Sequence, residues 1–391
     1  MPHLKVTPFD TSTIDEKIAK STVFTFRATS LTSDDEIIGV EYGGEEFLLQ
    51  IKPDEKATLV KYDKVTRPLK VNLLKEALDR VSKELDLEIQ SSNIAISNTK
   101  AALSSEYFKK IEDFENIEYT KDKISVEVGF GSGRHLIHQA QKNPDTLFIG
   151  LEIHTPSAQQ VLKQIELQNI DNIWVVNYDA RLFLEMLPSN VCEQIFVHFP
   201  VPWDKKPHRR VISSSFLDES MRVLRKEGRL ELRTDSDNYF WYSLETFFSV
   251  PKTEVEIRKN EALEVTSKYE ARWIKQEKDI YDVYVKCREE SEDKKLSIDF
   301  NFNTVKYQQG LENVLVKKPQ VFDGYFVHFE RMYKIGEERL LIKCAFGSFD
   351  RPEHKYILLD KKSCRYFVSS PVKTTVNYEA HKTIMELLDN V

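Results

Sequence analysis

Ile124-Ser125-Val126-Glu127-Val128-Gly129-Phe130-Gly131-Ser132-Gly133 is the stretch whose residue types and spacing first suggest ligand chemistry. An apolar run of strand character meets an acidic residue, and three glycines follow at alternate positions. A helix-compatible segment, Arg134 to Gln141, begins at once. Strand, glycine turn and helix start let backbone N–H groups approach a nucleotide-like ligand. The spacing excludes a dinucleotide fingerprint, whose third glycine would fall where Arg134 stands. Three glycines in five residues also suit a plain strand-to-helix turn, so other residues must decide. Glu152, Asp179 and Asp235 are acids at the ends of later strand patterns. A second chemistry lies in His198-Phe199-Pro200-Val201-Pro202-Trp203-Asp204-Lys205-Lys206-Pro207-His208-Arg209-Arg210. Its prolines and tryptophan predict a rigid, extended loop. The Lys/Arg residues of Lys205–Arg210, with His208 among them, suit phosphate oxygens as well as a solvated loop. Trp203 offers a stacking face or an anchor for the loop.

These residues need a scaffold. From 121 to 288, strand and helix signals alternate: Ile124 to Val128, Leu147 to Leu151, Asn172 to Asn177, Gln194 to Phe199 and Gly228 to Arg233, with helices at Arg134–Gln141 and Pro156–Gln168. Alternation of this kind predicts a doubly wound α/β core around a parallel sheet. Ligands in such sheets sit beyond the carboxyl ends of the strands. Glu127, Glu152, Asp179 and Asp235 all fall there.

Residues 1–100 read as a β-rich module with one amphipathic helix, Val71 to Leu85, whose Val71, Leu74, Leu78, Val81 and Leu85 recur at spacings of three and four. Residues 101–120 are a polar connector with a short helix expected around Ser105 to Glu112. After the charge run Glu289–Lys295, residues 296–391 read as a second β-rich module. Its strands are expected at Leu296–Phe302, Tyr325–Glu330, Arg339–Phe346, Lys355–Leu359 and Arg365–Ser369, before a last helix, Tyr378 to Leu388.

Composition narrows the class. With 391 residues, 41% hydrophobic and 30% charged, the chain reads as globular with two or three domains. No apolar run approaches a membrane span, and Met1-Pro-His-Leu-Lys-Val lacks a signal-peptide pattern, so a cytoplasmic protein is expected. The four cysteines are scattered and predict neither a metal site nor disulfides. His135 and His138 share a helix face without a third ligand nearby, and packing is expected of them. Net charge is −7 overall and +2 over residues 292–391, so any RNA contact must use a patch.

The E-x-G-x-G-x-G form from Glu127 to Gly133 resembles the first motif of class I S-adenosylmethionine-dependent methyltransferases, a Rossmann-like fold. That resemblance implies roles for the acids. Glu127 would hold the glycine turn, with Gly129, Gly131 and Gly133, near the methionine end of the cofactor. Glu152 would accept from the ribose hydroxyls. Asp179 would accept from the adenine amino group, with the Ala180 N–H donating to a ring nitrogen.

Five motifs in order over residues 120–288 make the chain similar to the bacterial tRNA (guanine-N7-)-methyltransferases. Their L-E-I-G-F-G-x-G matches Val126–Gly133, and G-I-E-V-H matches Gly150-Leu151-Glu152-Ile153-His154. F-F-P-D-P-W with its basic tail matches His198–Trp203 and Lys205–Arg210. A-T-D matches Arg233-Thr234-Asp235, and T-K-F-E matches Ser267-Lys268-Tyr269-Glu270. The later D-L-x-F strand is similar to Asp282-Val283-Tyr284-Val285. The flanking modules carry none of these motifs.

The resemblance implies methylation of a guanine N7 in the tRNA variable loop. N7 has a lone pair and no proton, so no general base is needed. Positioning and tolerance of the cation formed on the purine remain. Asp235 and Glu270 are the candidates for accepting from the guanine N1–H and amino group. Lys205 would lie on RNA or on the purine oxygen. Ser267, Lys268, His208, Arg209 and Arg210 complete the expected substrate contacts. The chain departs from the family at Val201, where the motif has Asp; Asp204 is three residues on. The family's arginine-rich N-terminal arm is also missing, which shifts the expected RNA docking to the flanking modules. Val201 leaves open a catalytically silent tRNA-binding protein on the same fold. The basic loop disfavours a small-molecule methyltransferase.

Overall fold

The structure, a computed structural model, describes residues 2–11, 14–66, 71–95, 105–115, 117–250, 253–262, 264, 278–294, 298–303, 305–315 and 318–389. It divides into two compact units, Ala102–Ser297 and a unit made of Met1–Ala101 with Ile298–Val391.

Within Ala102–Ser297 an eight-stranded sheet forms from β1 (Phe108–Lys109), β2 (Lys123–Val128), β3 (Thr146–Leu151), β4 (Ile173–Val176), β5 (Cys192–His198), β6 (Leu224–Thr234), β7 (Glu254–Lys259) and β8 (Tyr281–Lys286). Its order is β7-β8-β6-β5-β2-β3-β4-β1. From β1 to β6 every pairing is parallel, and β8 runs antiparallel to β6 and β7. The helices are α1 (Arg134–Lys142), α2 (Thr155–Gln168), α3 (Ala180–Phe183), α4 (Ser214–Val223) and α5 (Asp237–Phe247). Chain order reverses between β2 and β5, and the carboxyl ends of those strands open the crevice where such sheets take ligands.

Local chemistry sets the helix starts. Ser213 accepts from the Phe216 N–H (3.2 Å) at the start of α4, and Ser236 from the Tyr239 N–H (3.3 Å) at the start of α5. Asn169 closes α2 in the left-handed conformation, φ 52°. Ile124, Val126, Ile195, Val197, Leu230, Leu232 and Val283 are buried with Phe183, Phe216, Leu217, Tyr239 and Phe247, which forms one face of the core. The register puts a different set on the opposite face of the sheet. Glu127 stands beside Phe196, Phe196 beside Glu231, His198 beside Arg233, and Arg233 beside Asp282. That face is charged.

One expectation for this unit changes. The helix expected around Ser105–Glu112 is instead β1 and a 3-10 turn, Ile111–Glu115, because Phe108 and Lys109 pair with Val175 and Val176 at the sheet edge. β7 was not legible, since its Glu254–Lys259 is almost wholly exposed and rich in charge.

The other unit draws on both ends of the chain. Its eleven-stranded sheet runs from Cys364–Phe367 through Glu353–Leu359, Arg339–Gly347 and Phe326–Ile335 directly into Phe24–Ser30 and the remaining N-terminal strands. Thr29 and Ser30 pair with Lys334 and Tyr333. Phe26, Ala28, Ile37 and Leu48 bury with Tyr333, Ile335, Leu341, Tyr356 and Phe367 in one core. The Tyr356 hydroxyl donates to Asp63 (3.0 Å), and Arg365 pairs with Glu46 (2.8 Å). The stretches 1–100 and 296–391, read in sequence as separate modules, are thus halves of one fold. Helix Val71–Glu84 packs on the N-terminal half and Thr375–Asp389 on the C-terminal half. The strand expected at Leu296–Phe302 does not form among its described residues, 298–302; Phe300 and Phe302 pack edge-on against His381 of the last helix instead. No helix among the described residues is long and apolar enough to cross a membrane.

Candidate active site

Gly129, Gly131 and Gly133 all take positive φ, 68°, 54° and 70°, which L side chains adopt at a cost. A Cβ at Gly129 would meet nothing within 4 Å, and one at Gly131 only the Gly129 carbonyl oxygen at 3.9 Å. The turn therefore borders open space. Gly133 differs: its Cβ would lie 2.2 Å from Val161 Cγ2, so the third glycine seats α1 against α2.

Glu152, just past β3, fastens this turn. Its Oε2 accepts from the Gly131 N–H (2.9 Å) and its Oε1 from the His154 N–H (2.8 Å). The Asn177 amide donates to the Glu152 carbonyl, which ties β3 to the exit of β4. Asp179 caps α3, accepting from the Arg181 N–H (3.0 Å) and guanidinium (2.7 Å). Ala180 opens that helix and is buried.

Glu127 and the charged sheet face form a buried network. The Glu127 carboxylate lies 2.9 Å from His135 Nδ1, and His198 Nε2 lies 3.0 Å from Glu231 Oε1. The two imidazole rings are 4.4 Å apart between centroids. Burial alone would strip the His135 proton; the Glu127 charge and hydrogen bond, with Glu231, outweigh it and raise the pKa above the ordinary 6.5. Burial opposes the Glu231 charge, but His198, Arg229 and His135 together hold its pKa below 4.5. Arg233 pairs with Asp282, both fully buried, and donates to the Glu261 carbonyl (2.9 Å). His138 pairs with Glu264 (3.2 Å) beside a cavity of about 250 Å³. Among the described residues no cluster suits a metal ion.

The basic loop leaves β5 through Phe199, in the left-handed region at φ 51°, whose N–H donates to the Arg233 carbonyl (2.7 Å). Trp203 is also left-handed, φ 47°, and the Arg209 guanidinium lies 5.2 Å from its ring. Lys205, Lys206, His208 and Arg209 are exposed. Arg210 is not. Expected beside them on the RNA edge, it is 8% exposed, donates Nε–H to the Pro202 carbonyl (2.7 Å) and stacks on Tyr242 (4.2 Å). It braces the loop from beneath. Val201 points outward, 59% exposed, and the Asp204 carboxylate faces Arg210 at 3.4 Å.

Asp235 follows the last residue of β6 and forms an ion pair with Lys278 at 2.8 Å. Ser267, Lys268 and Glu270 lie outside the described residues. Sequence reasoning missed His135, His198, Glu231, Asp282 and Lys278 as members of the site. A signal existed for one of them: Glu231 sits between Leu230 and Leu232, both buried, in a strand pattern.

Comparison with known proteins agrees with this layout. A family model described as a putative methyltransferase matches residues 121–283. The chain is 42% identical over 357 residues to a tRNA (guanine-N(7)-)-methyltransferase of Wolinella succinogenes, covering 90% of this chain and 91% of that one. Proteins of the same name from Campylobacter fetus (40% over 375 residues, 93% of each chain) and Helicobacter acinonychis (42% over 346 residues, 88% and 85%) are similar to it as well. The likeness covers about nine-tenths of the chain, far more than the sheet that carries the motifs. On that likeness, and on a methyltransferase sheet with its glycine turn and strand-end acids, the chain belongs to the tRNA (guanine-N(7)-)-methyltransferase family.

Proposed function

We propose that this chain transfers the methyl group of S-adenosylmethionine to N7 of a guanine in the variable loop of tRNA, in the cytoplasm. The observation that carries the reading is the pairing of an open glycine turn, fastened by Glu152, with an exposed basic loop at the carboxyl ends of adjacent strands β2 and β5. When bound, the cofactor supplies a methyl group on a positively charged sulfur. The space beside Gly129 and Gly131 fits it, since any side chain there would intrude. Glu127, Gly129, Gly131, Gly133, Glu152, Asp179 and Ala180 are the residues that would hold it. The two backbone bonds to Glu152 use only part of a carboxylate's four lone-pair sites, which leaves acceptors for ribose hydroxyls.

The acceptor needs no base, because N7 carries a lone pair and no proton. Asp235 and Glu270 accept from the guanine N1–H and amino group and stabilise the purine cation. Lys205, His208 and Arg209 face RNA phosphates, Arg210 holds their loop in shape, and Ser267 and Lys268 belong to the same acceptor site. The test is incubation with labelled cofactor and unmodified tRNA, then mapping of the methylated base. Label at N7 of a variable-loop guanine is expected. Label at another atom rejects the assignment, and tRNA binding without label favours a silent binder, the reading that Val201 raises.

A further inference from the structure

A cation outside the basic loop stands beside Asp235. Lys278 Nζ is 2.8 Å from Asp235 Oδ2, and the two residues are 43 apart in sequence. Antiparallel pairing of β6 with β8 brings them together, because Thr234 stands opposite Tyr281. Neither is loosely tethered. Thr234 is buried, and Ser236 caps α5 on the other side of Asp235. Beyond Lys278, Asp279 accepts from the Asn260 amide (2.9 Å) and Ile280 N–H donates to Asn260 Oδ1 (2.8 Å). The Asp235 side chain is 17% exposed and that of Lys278 47%, so the pair opens toward solvent at one end.

We infer that Lys278 is a specificity-determining residue that donates to O6 of the target guanine while Asp235 accepts from N1–H and the amino group. This rests on the function proposed above. Along its pairing edge guanine presents two donors and then an acceptor. A carboxylate beside an ammonium presents the complement, acceptors and then a donor. Adenine presents an amino group where guanine has O6, and a lone pair at N1, so it would set donor against ammonium and lone pair against carboxylate. Sites that hydrogen-bond a base edge reject such mismatches strongly. An ammonium has three donors, so Lys278 keeps Asp235 while serving O6. Lys205, expected from sequence on RNA or on that oxygen, sits on an exposed loop among other cations.

The experiment compares wild type, Lys278→Met and Lys278→Arg on tRNAs carrying either guanine or 6-thioguanine at the target position. Sulfur for O6 weakens the acceptor and leaves N1–H and the amino group in place. Lys278→Met is expected to lower kcat/KM on guanine about 10- to 100-fold. It should also bring the guanine-to-thioguanine ratio close to one, and Lys278→Arg should restore much of both. A variant that loses activity equally on the two tRNAs, keeping the wild-type ratio, would show that Lys278 only supports Asp235 and overturns the inference. Should wild type transfer no methyl group to either tRNA, the proposed function fails. The inference is then read from binding of the two tRNAs, whose affinity ratio must collapse in Lys278→Met or the inference falls as well.

Discussion

Glu127 and His135 meet at 2.9 Å, one at the end of β2 and the other in the first turn of α1, with the glycine turn strung between them. Their bond fixes both ends of that turn at once. Because His135 is held above the ordinary histidine pKa of 6.5, it binds its proton more tightly folded than unfolded. Its stabilising contribution is complete below that value and fades as pH rises through the raised one. Glu231 works in the opposite window. Its pKa is held below 4.5, so its contribution is present above that value and fades in acid. Melting of wild type and His135→Gln at about pH 6 and about pH 8.5 should therefore show the larger stability gap at the lower pH. An equal gap at both would remove the protonated pair from the fold's energetics.

Glu152, just past β3, fastens the glycine turn through the Gly131 N–H. Its removal frees that donor and, on the function proposed above, deletes the acceptor for the ribose hydroxyls. Glu152→Ala should weaken S-adenosylmethionine binding by about 10- to 100-fold, a loss in the range of a charge-assisted hydrogen bond or two. Calorimetry measures it. A change below about twofold, on the scale of exposed contacts, would place the ribose elsewhere.

Arg209 and Arg210 are neighbours with opposite duties. Arg210→Ala removes a buried guanidinium from Pro202 and Tyr242 and should cost about 2–3 kcal/mol of stability, seen as a lower unfolding midpoint. Arg209→Ala should leave that midpoint nearly unchanged. It should weaken tRNA binding and reduce the slope of log affinity against log salt by about one. The reverse pattern would contradict the burial difference between them.

Asp235→Ala should abolish methyl transfer while S-adenosylmethionine binds within about twofold of wild type, since Asp235 follows the end of β6, and β5 lies between β6 and the strand β2 that leads into the turn. Turnover by single-round kinetics and affinity by titration separate the two effects. Full activity in the variant would take Asp235 out of the acceptor site.

The glycine turn and the strand-end acids proposed to hold the cofactor were legible because they are local. Each acid ends a strand that periodicity marks, and the glycine turn is read within seven residues, Glu127 to Gly133. The residues proposed for the acceptor side were less so. Nothing in Lys205–Arg210 separates Arg210 from its neighbours until Tyr239 and Tyr242 of α5 close on it. His198 finds Glu231, and Lys278 finds Asp235, only through the strand order β8-β6-β5-β2, which no local pattern encodes. The same limit hid the union of the two chain ends. Alternation shows that Phe24–Ser30 and Phe326–Ile335 are strands, but not that they are neighbours.

That union has a consequence for how the chain is made. On the ribosome, Phe26, Ala28, Ile37 and Leu48 emerge well before Tyr333, Leu341 and Tyr356, which cover them. Between them all of Ala102–Ser297 must be translated, which takes roughly 10–40 s at usual elongation rates. Throughout that interval the edge of Phe24–Ser30 lacks its partner strand and is open to mispairing with other nascent chains. The catalytic sheet, contiguous in sequence, can close first; the unit built from the stretches on either side of it can be completed only once the strands from Phe326 to Phe367 have been made.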